Sequence, residues 1–322
     1  MSDFSSSRQA FLQDVVSGLT QSPKSLPSKY FYDELGDKLF QKIMGLEEYY
    51  LTRKEFEILE KQHASIMAGV LSKTKSFNLV ELGAGDGLKT KILLRYLKRK
   101  SEVNFTYFPV DFSGSALEEL QINLEHELPG IQVKGIQNTY RGSLKIKPWE
   151  NGLPNLILFL GSNIGNFTLA EAKDVLTHLS ESCKSGDWVL LGIDLKKDPA
   201  IILRAYNDQK GVTRDFNLNL LKRINNELGA NFVLDEFIHW PTYDPVTGEC
   251  RSYLVTRIPQ KVTFPDAGIS VNLEAFEPIW TEVSRKSSPE EIENLAVEFG
   301  FRVCDIFTDS EDYFANVLWQ KV

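Results

Sequence analysis

The chain is poor in the residues that build covalent staples and metal cages. Its 322 residues include three cysteines, Cys183, Cys250 and Cys304, scattered and without metal-ligand spacing. That pattern excludes a disulfide framework and reads as free thiols in a reducing compartment. None of the four histidines, His63, His126, His178 and His239, sits near another at metal-ligand spacing, so no metal is expected. No apolar stretch approaches the ~18 residues needed to cross a bilayer. The opening Met1-Ser2-Asp3-Phe4-Ser5 carries an early acid and no apolar core of signal-peptide length. These absences predict a cytoplasmic protein with no membrane partner. Positive charge is also short: 36 Lys and Arg stand against 44 Asp and Glu, a net charge of −8. An acidic surface has no general attraction for phosphate backbones, which argues against nucleic acid as a substrate. No internal repeat is visible, and low complexity is confined to Ser5-Ser6-Ser7.

What is present is an ordinary globular composition, 42% hydrophobic and 25% charged, at a length that suits one large α/β domain with an insertion or two domains sharing a core. Residues 1–60 read as helices punctuated by aromatics. Ser22-Pro23-Lys24-Ser25-Leu26-Pro27 breaks the first helix, and a turn is expected at Gly36. Thr52 followed by Glu55 resembles a capping box opening the next helix. From Phe77 the rhythm becomes strand–helix–strand, with strands at 77–82, 105–110, 131–136, 155–160 and 188–194. The apolar run Leu156-Ile157-Leu158-Phe159-Leu160 suits a strand covered on both faces. This βαβαβ order predicts a doubly wound parallel sheet. After Leu195 the rhythm breaks into a helical region and strands at 232–238, 251–258 and 260–264. It resumes at Ser288-Pro289 with a helix and two closing strands.

Chemistry concentrates at the ends of those strands. Val80-Glu81-Leu82-Gly83-Ala84-Gly85-Asp86-Gly87 is a strand–loop–helix passage whose glycines let backbone N–H groups approach a ligand. Glycine spacing alone does not separate a dinucleotide from S-adenosylmethionine. Glu81 before the glycines and Asp111 ending the next strand favour the methyl donor, since a carboxylate at the second position accepts both ribose hydroxyls; Asp111 alone also suits NAD. Asn166, in Gly161-Ser162-Asn163-Ile164-Gly165-Asn166, follows the central strand and offers an acceptor and donors without charge, which suits orienting a neutral amine. Glu282 and Ser284 alternate along an extended segment, so their side chains share a face and can read a polar ring edge-on; an exposed strand face is the alternative reading. The aromatics Tyr32, Tyr49 and Tyr50 are compatible with packing as well as with binding.

The chain resembles the histidine-specific Nα-methyltransferases of ergothioneine biosynthesis. The resemblance rests on Lys29-Tyr30-Phe31-Tyr32-Asp33, Glu48-Tyr49-Tyr50-Leu51-Thr52-Arg53, Glu81-Leu82-Gly83-Ala84-Gly85, Pro109-Val110-Asp111 and Phe159-Leu160-Gly161-Ser162-Asn163-Ile164-Gly165-Asn166. It continues through Asp198-Pro199 to Tyr206, Asp215-Phe216-Asn217 and Thr281-Glu282-Val283-Ser284, in unbroken order from about residue 20 to the C-terminus. It implies that Gly83, Gly85, Lys89, Asp111, Thr139 and Tyr140, with Tyr32 close by, bind S-adenosylmethionine. It implies that Tyr49, Gly161, Asn166 and Tyr206 hold the amino acid's amine and carboxylate, with Asn166 and Tyr49 in the catalytic role. It sets Ser252, Glu282 and Ser284 against the imidazole. Two positions depart from the family pattern. Asn138-Thr139-Tyr140 stands where an acid followed by an aromatic is usual, and Ser252 stands where the histidine enzymes carry methionine.

The expectation is therefore a seven-stranded, doubly wound methyltransferase-type α/β sheet carrying an α+β lid domain. Residues 61–195 and 286–322 are assigned to binding S-adenosylmethionine, and residues 1–60 and 196–285 to the substrate-binding lid. The expected activity is methylation of the α-amine of L-histidine to its trimethylated betaine by a monomer. Methylation of another amine, such as tryptophan, or donor binding without catalysis are the alternatives.

Overall fold

A computed structural model describes residues 2–322 of the chain. Two compact units result, one of residues 1–50 with 197–284, the other of residues 51–196 with 285–322. In chain order the first unit opens with α1 (Ser2–Thr20) and α2 (Glu34–Met44). The second unit contributes α3 (Tyr50–Leu71), β1 (Ser76–Leu82), α4 (Thr90–Lys98), β2 (Asn104–Asp111), α5 (Gly114–Glu127), β3 (Gln132–Val133), β4 (Ile136–Gln137), α6 (Tyr140–Ile146), β5 (Asn155–Phe159), α7 (Leu169–Ser182) and β6 (Trp188–Asp194). The first unit resumes with α8 (Pro199–Ala205), α9 (Val212–Leu228), β7 (Phe237–Asp244), β8 (Glu249–Thr256), β9 (Gln260–Phe264), β10 (Ile269–Leu273) and β11 (Pro278–Arg285). The second closes with α10 (Pro289–Glu298), β12 (Phe301–Thr308) and β13 (Phe314–Lys321).

The large sheet runs β12-β13-β6-β5-β1-β2-β3, with β4 also on β2. Strands β6, β5, β1, β2, β3 and β4 run parallel to one another, whereas β13 pairs antiparallel with both β6 and β12. The expected mixed α/β sheet is thus present, with eight strands rather than seven. The single strand read at 131–136 is split. Gln132 and Val133 pair with Thr106 and Tyr107, while Ile136 and Gln137 pair with Val110 and Asp111. Gly135 lies between the two pieces, where an extended run loses side-chain packing and is easily interrupted. Strands β5 and β6 are buried at every position, as a parallel sheet with covered faces requires. Their core gathers Val80, Val110, Ile157, Phe159, Leu191 and Trp319.

The first unit has its own core, in which Phe11, Val15 and Leu19 of α1 join Phe216 and Leu220 of α9 and Val262, Phe264 and Ile279 from the strands. The N-terminal segment is tied in by backbone bonds, Leu26 N–H to Trp280 O at 2.8 Å and Trp280 N–H to Lys24 O at 3.0 Å. Strand order here is β11-β8-β7, with β9 and β10 as a separate antiparallel pair.

Three local readings are corrected. Gly36 is inside α2 rather than at a turn, because Asp33 caps the helix by accepting from Gly36 N–H at 2.7 Å. A Cβ on Gly36 would lie 1.8 Å from Phe31 O, so close backbone approach requires the glycine. Helix α3 begins at Tyr50, which places Thr52 inside it, and Glu55 is turned into the core instead of capping. Residues 234–236 form a short 3₁₀ turn, and β7 starts only at Phe237. Among the described residues no helix is long and apolar enough to cross a membrane, and no group of three or more His, Cys, Asp or Glu is placed to hold a metal ion.

Candidate functional site

In the second unit the proposed ligand-binding residues gather at the carboxyl ends of the parallel strands, where open α/β sheets bind ligands. Strand β1 ends at Leu82 and the chain turns through Gly83 (φ 77°), Gly85 (φ 52°) and Gly87 (φ 64°), left-handed conformations that favour glycine. Gly83 and Ala84 donate to Val110 O at 2.8 and 3.1 Å, stitching the loop to β2. Asp111, at the end of β2, accepts Gly85 N–H at 3.0 Å through Oδ2 and Ser113 N–H at 3.0 Å through Oδ1. Each carboxylate oxygen has a second lone pair, so two further hydroxyls can be accepted. A Cβ on Gly83 would meet the Tyr140 hydroxyl at 2.6 Å, whereas nothing lies within 4 Å of one built on Gly85. The loop is therefore packed on one side and open on the other, and with the Asp111 acceptors it fits a ribose-bearing ligand.

Glu81 does not face this opening. Its carboxylate is buried, accepting from Thr90 Oγ1 at 2.5 Å and from the Tyr107 hydroxyl. Burial pushes it up to about 7 against those two bonds. Tyr140 packs edge-on against Phe159, ring centroids 5.1 Å apart, and burial raises its phenol well above the usual range. Thr139 caps α6, its Oγ1 accepting from Gly142 N–H at 3.1 Å.

Beyond β5 the chain turns through Gly161 (φ 75°) and Ser162 (φ 56°) into a 3₁₀ turn, Asn163–Asn166. This unit also reveals a group that local sequence reasoning missed. Glu55 of α3 is fully buried and accepts from the Lys89 ammonium, from Gly161 N–H at 2.9 and 3.0 Å and from Asn316 Nδ2 at 3.2 Å. A signal existed. Glu55 occupies the helix stripe of Leu51, Ile58, Leu59 and Ile66, all buried, where a charge is out of place.

In the first unit, Tyr49, Tyr206, Ser252, Glu282 and Ser284 form a connected group. The rings of Tyr49 and Tyr206 meet edge-on at 6.4 Å. The Tyr206 hydroxyl donates to Ser284 Oγ at 2.7 Å, and Ser252 Oγ donates to Glu282 Oε2 at 3.3 Å. Ser252 O accepts from Thr281 Oγ1 at 3.1 Å, which ties β8 to β11 beside the two polar side chains, and within β11 Trp280 Nε1 donates to Glu282 O at 2.8 Å. Tyr32 packs edge-on against Phe40 and Phe216 at 5.7 and 5.8 Å, and Phe40 in turn against Tyr49 at 6.3 Å.

The sequence profile of the S-adenosylmethionine-dependent, histidine-specific methyltransferases matches residues 11–321. The chain belongs to that family. This histidine-specific methyltransferase is 38% identical to a histidine N-alpha-methyltransferase of Mycolicibacterium smegmatis over 94% of its own length and 92% of the relative's. It is 31% identical to ergothioneine biosynthesis protein 1 of Neurospora crassa, a match covering 92% of this chain and 33% of that protein. A 4-dimethylallyltryptophan N-methyltransferase of Epichloe festucae var. lolii is 28% identical over 76% of this chain and 75% of its own. The family resemblance carried by the motifs is thereby borne out, and with it an S-adenosylmethionine-dependent N-methyltransferase.

Proposed function

We propose that this methyltransferase acts on the α-amine of L-histidine and carries it to the trimethylated betaine. One observation supports the substrate more than any other: a carboxylate and a hydroxyl, Glu282 and Ser284, stand on one strand beside Tyr206 and Ser252. Such a pair matches a ring bearing one N–H donor and one acceptor nitrogen. In this reading Gly83, Gly85, Lys89, Asp111, Thr139 and Tyr140, with Tyr32 close by, receive the donor. When bound, it supplies a methyl group activated by the positive sulfur. Tyr49, Gly161, Asn166 and Tyr206 hold the amine and carboxylate. Asn166, being uncharged, orients the amine without protonating it, so its lone pair forms the new N–C bond as the C–S bond breaks and its electrons pass to sulfur. Orientation then accounts for most of the acceleration. Each of the first two products sheds a proton before the next transfer, so activity falls as pH drops. The net charge of −8 and three free thiols support a cytoplasmic monomer working on a free amino acid rather than nucleic acid.

A second reading, an indole-bearing amino acid as acceptor, is favoured by Ser252 in place of the family's methionine and by the relative named as a 4-dimethylallyltryptophan N-methyltransferase. Magnitudes favour histidine. Unpaired buried polar groups discriminate by roughly four orders of magnitude, whereas a packing change is worth about 1–3 kcal/mol. The test is kcat/KM for L-histidine and L-tryptophan on the unmodified protein. Histidine is expected to win, Glu282→Ala to lose it and Ser252→Met to tighten it; a preference for tryptophan would refute the assignment.

A further inference from the structure

We propose that Glu55 is a positioning residue of the methyl transfer, holding the Lys89 ammonium in the arrangement that receives the donor and fixing the Gly161 turn beside the amino acid. The proposal rests on the reading above that Lys89 receives the donor and Gly161 helps hold the amino acid.

The molecule makes deliberate room for this carboxylate. Position 192, in the middle of β6, is glycine, and a Cβ there would lie 2.1 Å from Glu55 Oε1. Gly192 is paired in register with Asn316 of β13, whose Nδ2 donates to that same oxygen at 3.2 Å. In doing so Asn316 leaves its own buried Oδ1 without a partner among the described residues. An amide that forgoes its acceptor to feed a carboxylate shows where the local demand lies. Two strands, a glycine loop and a turn, from distant parts of the chain, thus converge on one anion.

Stability does not explain the arrangement. Taking an ion pair out of water forfeits the hydration of both charges, and well-packed apolar side chains often do as well or better. Glu55 replaces an apolar residue on a buried helix stripe and is itself fully buried. What it gains is geometry. Gly161 and Ser162 are consecutive left-handed residues, and for Ser162 that conformation is strained. Both Glu55 oxygens share the Gly161 N–H, and Ser162 Oγ accepts Asp194 N–H at 3.2 Å, so the turn is fixed from two sides. Lys89 keeps 21% of its side chain exposed, and its Nζ would lie 3.4 Å from a Cβ on Gly161. One proton of the ammonium goes to Glu55, and two remain for an anionic or carbonyl group of a ligand. A lysine on a four-carbon stem is otherwise free to swing.

The experiment is a double-mutant cycle on the full chain, with Glu55→Gln, Lys89→Gln and the pair. S-adenosylhomocysteine affinity is measured by calorimetry, donor KM and kcat at fixed acceptor, and melting temperature without ligand. Glu55→Gln keeps an acceptor for Gly161 and removes the charge that anchors Lys89. The expected result is donor affinity weakened about tenfold or more with kcat changed far less, and no further weakening when Glu55→Gln is added to Lys89→Gln. Glu55→Asp, which keeps the charge but shortens the reach, is expected to fall between the two and covers the case in which Glu55→Gln does not fold. A merely structural Glu55 would lower the melting temperature and leave affinity unchanged, or give additive losses; either outcome overturns the proposal. Lys89→Gln weakening the donor while both Glu55 variants leave it intact overturns the Glu55 role alone. Lys89→Gln without effect removes the donor assignment of Lys89 as well.

Discussion

Two buried carboxylates near the glycine loop have different partners. Glu55 has a full cation, Lys89, and two N–H donors, Gly161 and Asn316, whereas among the described residues Glu81 accepts from the Thr90 and Tyr107 hydroxyls. With no cation bonded to it, burial dominates and the Glu81 carboxyl rises to about 7 from an ordinary value of 4.5. A carboxyl raised in the folded state stabilises the fold fully below about 4.5, and that contribution is lost as pH climbs through 7. Glu81→Gln should therefore gain stability relative to the unmodified protein across this window, by up to about 3 kcal/mol. Chemical unfolding of both proteins at pH 5 and pH 8 checks it; an equal difference at the two pH values counts against it. At the same scale, Glu282, Ser284 and Ser252 were legible as individual candidates. Their bonds to Tyr206 and to each other, made across 78 and 30 residues of chain, were not.

At the scale of elements, the loop after β1 shows why a glycine pattern carries information. Three left-handed positions in five residues can be read from Gly83, Gly85 and Gly87, and their conformations follow from the missing Cβ. Gly83→Ala would strain the turn and push against the Tyr140 hydroxyl. Donor affinity should fall by about tenfold or more, since a strained loop must shift to bind, while kcat at saturating donor changes less. Titration with S-adenosylhomocysteine tests this, and unaltered affinity would show that the loop does not contact the donor. Other elements misled. Thr and Glu three apart satisfy a local capping pattern, which points to a start of α3 at Thr52. The helix starts earlier, and Glu55 instead meets Gly161, 106 residues away. Glycine usually breaks helices, which points to a turn at Gly36, whereas close packing against Phe31 keeps it inside α2.

For the whole molecule, the decisive arrangement is that each unit is built from two separated stretches of chain. If the second unit binds the donor, S-adenosylhomocysteine stabilises the native state by mass action, about 2.7 kcal/mol at ~100 Kd. The melting temperature should rise accordingly, and Asp111→Ala should largely abolish the rise. Stabilisation by NAD in place of S-adenosylhomocysteine would contradict it. What the amino-acid order determined alone was whatever depends on near neighbours: strand and helix periodicity, the parallel α/β class, the glycine turns and the motifs that mark the family. These follow from side-chain spacing and backbone sterics within a few residues. Tertiary structure decided the rest. The edge strand broke in two, and a charge on an apolar helix stripe found its cation and its glycine. Each of those outcomes depends on groups brought together only after the chain folds, and buried charge is where such long-range pairing is least dispensable.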